Sequence, residues 1–142
     1  MHCIRTLAAS LAVLAVAGAA HAYDTECENV DISVTNKHPS GDPIKVTRIA
    51  YFLDNEALGW EFEGLANKVP NPNVTVTWNN QDLNWMPENY AASWRVYYER
   101  QLTGGWFPSY DDEVYQEFAR PNHLCHDGDS YSFTIDEWGT DE

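Results

Sequence analysis

The chain has 142 residues, eight Lys and Arg against 22 Asp and Glu, and a formal net charge of −14. A field of that sign repels phosphate backbones and anionic headgroups, which argues against nucleic acid and membrane surfaces as partners. The length holds one domain with its own core, and no internal repeat, low-complexity tract or linker divides it.

Residues 1–22 read as a secretory leader rather than as part of the fold. MHCIR is a short basic start, LAASLAVLAVAGAA an apolar run, and Ala20, His21, Ala22 a small-x-small cleavage site. The run is short for a bilayer span, and no second apolar stretch comes after it, so no membrane insertion is expected. Residue 23 is Tyr, where a lipoprotein would carry Cys. The expected mature chain, 23–142, is a single domain of 120 residues (142 minus 22), secreted or periplasmic. All 22 carboxylates lie in it, with seven of the Lys and Arg, giving 7 − 22 = −15. Such a charge suits a cation or a basic protein as partner, and equally serves to keep an exported protein in solution.

Cys3 belongs to the leader, which leaves Cys27 and Cys125. Two thiols near opposite ends of an exported chain predict one disulfide; the alternative is a pair of buried free thiols. No CxxC is present, so thiol redox chemistry is not expected.

Period-two alternation dominates the mature chain. Val30, Ile32 and Val34 share one phase in ENVDISVTN. After the turn KHPSGDP comes IKVTRIAYFLD, whose apolar phase slips between Val46 and Ile49, as a bulge or a change of sheet would require. GWEFE is a short strand candidate and NKVPNPN a loop, after which Val74, Val76 and Trp78 alternate cleanly. ASWRVYYERQ leads into a hairpin across LTGG, where Gly104 and Gly105 supply turn geometry. DDEVYQEF reads as strand in preference to one helical turn. Tyr131, Phe133 and Ile135 mark the last strand. About seven short strands in this length predict an all-β, antiparallel two-sheet sandwich of immunoglobulin-like shape, with a closed barrel as second choice.

Catalytic signals are thin, and a non-enzymatic role is expected. No G-x-S-x-G, H-E-x-x-H or Gly-rich phosphate loop occurs, and no cofactor is implied. Glu61 and Glu63 share a strand face, where a solvated pair is the simpler reading than a glycosidase dyad. His123 and His126 bracket Cys125 and could hold zinc only if that thiol were unbridged. Asp127 and Asp129 in HDGDS are weak calcium candidates, because Asp-Gly is also an ordinary turn signal and too few oxygens are visible. Asn73 opens an Asn-Val-Thr sequon, which matters only in a glycosylating host.

The aromatics, six Trp and eight Tyr, are the strongest compositional signal. Trp78 and Trp94 share their phase with valines and belong in the core. Leu83, Trp85 and Met86 are expected to plug an open end of the sandwich rather than to form a binding finger. Trp106, Tyr110, Asp111 and Asp112 lie in one loop region. They suit glycan binding, in which a ring stacks on the sugar's apolar face while carboxylates take its hydroxyls. Trp60 is a weaker candidate for the same role. Three functions therefore stand: binding of carbohydrate or cell-wall glycan, inhibition or binding of a basic exported enzyme, and calcium-stabilised adhesion.

Overall fold

The computed structural model describes residues 26–53, 59–84, 91–103, 106–119 and 125–141. The expectations placed on the leader, on Trp85 and Met86, on the Gly-Gly turn and on His123 fall outside those residues. Eight strands are described: β1 (Glu26–Asn36), β2 (Ile44–Leu53), β3 (Trp60–Lys68), β4 (Thr75–Asn84), β5 (Ala91–Leu102), β6 (Ser109–Tyr110), β7 (Val114–Ala119) and β8 (Ser130–Ile135). One sheet runs β4-β1-β8; the other runs β3-β2-β5-β6, with β7 also on β5. This two-sheet, all-β arrangement fits the expected sandwich. Among the described residues no helix is long and apolar enough to cross a membrane.

The alternation seen in the sequence becomes the core. Val30, Ile32 and Val34 of β1, Trp78 of β4, Trp94 and Val96 of β5, and Tyr131, Phe133 and Ile135 of β8 are all buried in one cluster. Trp94 is its aromatic hub, with ring centroids 4.8 Å from Tyr131, 5.3 Å from Tyr51 and 5.4 Å from Phe133. Trp78 also donates its indole N–H to the Ala66 carbonyl at 2.5 Å, so its polar edge is satisfied where it is buried. The phase slip expected after Val46 is present: both pairings of β2 shift register between Val46 and Arg48. One extra residue there returns Ile49 to the inner face after Val46. Val74, expected in phase with Val76, instead ends a turn and is exposed, its N–H donating to Asn71 O at 3.0 Å.

One pairing departs from the expected antiparallel sheets. β1 pairs with β4 antiparallel but with β8 parallel, in register from Asp31–Ser130 to Asn36–Ile135. The predicted bridge exists, Cys27–Cys125, with Cα atoms 6.1 Å apart. It ties the start of β1 to the approach of β8, so the two strands are joined both by the ladder and covalently. A disulfide is consistent with an oxidising, extracellular environment.

The outer face of the larger sheet is built from arginines layered between rings. The Arg95 guanidinium lies 3.9 Å from the Trp60 centroid and 4.2 Å from that of Tyr115, and Arg48 lies 4.1 Å from Tyr97 and 5.1 Å from Phe62. Carboxylates hold both cations, Glu117 at 3.1 Å from Arg95 and Glu113 at 2.7 Å from Arg48. The stack explains why Tyr97, which points away from the core by parity, is nevertheless buried.

Candidate functional site

β6 and β7 both pair with β5, and the chain between them, Asp111–Glu113, is where that edge breaks. Asp111 still donates its N–H to Arg100 O at 2.9 Å, and the three acidic side chains then part company. Glu113 reaches Arg48 and Thr47 on the outer face. Asp111 and Asp112 line a pocket of about 180 Å³ together with His38, Tyr98, Arg100, Val114, Trp138, Gly139 and Asp141.

The far wall of that pocket is the segment after β8. Leaving the smaller sheet at Ile135, the chain crosses to the edge of the larger one. There Tyr115 and Thr140 exchange backbone hydrogen bonds at 3.0 and 2.8 Å. Gln116 fixes the start of the crossing, accepting from the Asp136 N–H at 3.1 Å and donating to the Asp136 carboxylate at 3.0 Å. Tyr98 fixes its middle by donating to Glu137 O at 3.2 Å. Glycine is required at 139 by close approach, since a Cβ would stand 2.3 Å from Val114 Cγ2 and 2.9 Å from Tyr98 Oη. That tight contact sets the adjoining Trp138 over the pocket, 62% exposed.

Trp138 meets the His38 ring edge-on at 4.7 Å, and the Arg100 guanidinium lies 5.6 Å from its centroid. Arg100 Nη2 donates to Asp111 Oδ2 at 2.7 Å. That bond, with a further one from the Asp112 amide, holds the Asp111 carboxyl below its ordinary value. Burial lowers the His38 pKa and Arg100 adds to the effect, while Asp42 opposes it. Burial also pushes the Tyr98 hydroxyl up to about 12, so it stays protonated as a donor. Around one half-exposed ring the pocket thus gathers aspartate oxygens that accept and the Arg100 guanidinium, which donates.

The structure separates the residues grouped by sequence. Asp111 and Asp112 are at the pocket, whereas Trp106 is at the hairpin between β5 and β6, fully exposed. Tyr110 packs under Lys45, whose Nζ is 5.0 Å from the ring centroid. Trp60 lies in the arginine stack, outside the pocket lining. Sequence reasoning does not reach Trp138 and His38 as site residues. The one signal it could have used is the Trp-Gly pair in DEWGTDE, a large ring beside a residue that permits close backbone packing.

In HDGDS both carboxylates serve the turn. Asp127 Oδ1 accepts from Glu28 N at 2.9 Å, and Asp129 Oδ2 accepts from His126 N at 2.8 Å. Among the described residues no group of three or more His, Cys, Asp or Glu could hold a metal ion. Cys125 is bridged and therefore has no thiolate for zinc. Glu63 accepts the hydroxyl of buried Tyr51 at 3.2 Å. The chain matches no protein-family model, and no curated protein matches it.

Proposed function

We propose that the protein is an exported, non-enzymatic binding module for carbohydrate, with the Trp138 pocket as its site. The observation that carries this reading is a half-exposed indole set beside Asp111, Asp112 and Asp141 in one concave site. The ring offers a flat apolar face to the C–H face of a sugar, and the aspartates accept its hydroxyl hydrogens. Arg100 supplies donors, since a guanidinium carries five N–H groups, so both halves of a hydroxyl's hydrogen bonding are met. A volume of about 180 Å³ suits a single ring or a chain end, being smaller than the sites that enclose drug-sized ligands. Tryptophan emission of the folded protein, titrated with cello-, xylo- and chito-oligosaccharides and with peptidoglycan fragments, tests the proposal. One class is expected to shift the emission and to lose its effect on Trp138→Ala, while Trp106→Ala retains binding. Absence of any response across the series would overturn it.

A further inference from the structure

The β5–β6 hairpin carries a second feature that the pocket does not use. At its tip Trp106 is 100% exposed and Phe107 83%, with Pro108 exposed beside them. Single exposed apolar residues are common on protein surfaces; two adjacent large rings standing clear of the molecule are not accounted for that way. The base of the hairpin is anchored. Leu102 pairs with Ser109, Gln101 with Tyr110, and Lys45 caps the Tyr110 ring while it also bonds Glu99 at 2.9 Å. The rings are thus presented on a held stem rather than folded back on the core. Directly after the stem come exposed Asp111 and Asp112.

We propose that this hairpin is a docking finger for a cationic protein, inserting Trp106 and Phe107 into an apolar pocket rimmed by Lys and Arg. Large aromatic anchors supply most of the affinity of such interfaces when a partner pocket desolvates them, and flanking charges set approach and register. Charge decides among possible occupants. With a net charge of −14, two copies of this chain repel each other, and an anionic bilayer repels it as well. A basic partner is drawn to the same surface. Asp111 and Asp112 line the Trp138 pocket but Trp106 and Phe107 do not, so substitutions of the rings separate the finger from the glycan site.

The test uses the folded, disulfide-bonded protein against two purified cationic enzymes, a lysozyme and a trypsin, with acidic serum albumin as control. Binding by calorimetry and surface plasmon resonance is expected for at least one enzyme and not for albumin. The Trp106→Ala/Phe107→Ala double variant should weaken it by about tenfold or more, without changing the melting temperature. The association rate should fall steeply as salt rises from roughly 0.05 to 0.3 M. Trp138→Ala should leave this binding intact, which separates it from failure of the glycan site. Four outcomes would overturn the proposal: no binding to either enzyme, equal binding to albumin, indifference to the double variant, or loss on Trp138→Ala. Self-association abolished by the double variant would also overturn it, in favour of a second copy as occupant.

Discussion

At the scale of single residues, His38 and Gly139 yield the sharpest expectations. His38 is buried against Tyr98 and Trp138, with its backbone N–H donating to Asn36 Oδ1 and its ring Nδ1 paired with the Ser40 hydroxyl. Burial first, then Arg100, set its pKa below 6.5, against the opposing pull of Asp42. The unfolded chain therefore binds the proton more readily than the folded one. The corresponding stability is complete above pH 6.5 and is lost as pH falls from there through the lowered folded value. Thermal melts between about pH 7.5 and 5.5 should show the wild type losing more stability than His38→Gln, measured against each protein's own value at the upper pH. Parallel curves would show that His38 does not contribute. Gly139→Ala has no room, since Val114 Cγ2 lies 2.3 Å from the added Cβ. It should cost about 1–3 kcal/mol as overpacking in urea melts, and change Trp138 emission as the crossing segment lifts. An unchanged midpoint and spectrum would show that the segment is not held there.

At the scale of elements, what could be read from sequence was what is local. Trp78 and Trp94 announce themselves as core because their valine neighbours at i±2 fix the buried phase, and the slip after Val46 shows because it breaks that phase within a few residues. Partner choice is invisible to the same reasoning. Nothing in SYSFTID distinguishes a strand that joins β1 parallel from one that joins it antiparallel, since both bury Tyr131, Phe133 and Ile135. The candidate site was half legible for the same reason. Asp111 and Asp112 were visible as a polar loop, but Trp138 reaches them only through the pairing of Thr140 with Tyr115, a contact between distant parts of the chain. The arginine stack was likewise hidden, because Arg48, Arg95, Trp60 and Tyr115 come from four different strands. Trp60 read in isolation looks like a surface ligand for sugar; with Arg95 over its face it has a protein cation in that position.

At the scale of the whole molecule, the Cys27–Cys125 bridge spans 98 residues of sequence, and nearly all of the described core lies inside the loop it closes. Closing so long a loop removes roughly 4–5 kcal/mol of unfolded-state freedom in the chain-entropy model. Replacing both cysteines by alanine should lower stability by about 2–5 kcal/mol in denaturant melts, and dithiothreitol should destabilise the wild type by a similar amount while leaving the variant unmoved. A variant as stable as the wild type would show that the paired β1 and β8 suffice without the bond.

The same link governs how the protein would bear tension. A load drawn between Glu26 and Asp136 passes from Cys27 straight through sulfur to Cys125. The ribbon coiled between those two points is spared from stretching altogether. Extension is confined to the short lengths outside the clasp, so a molecule anchored by its extremities would behave as a nearly inextensible link until the bond is reduced, and as a long, compliant tether afterwards.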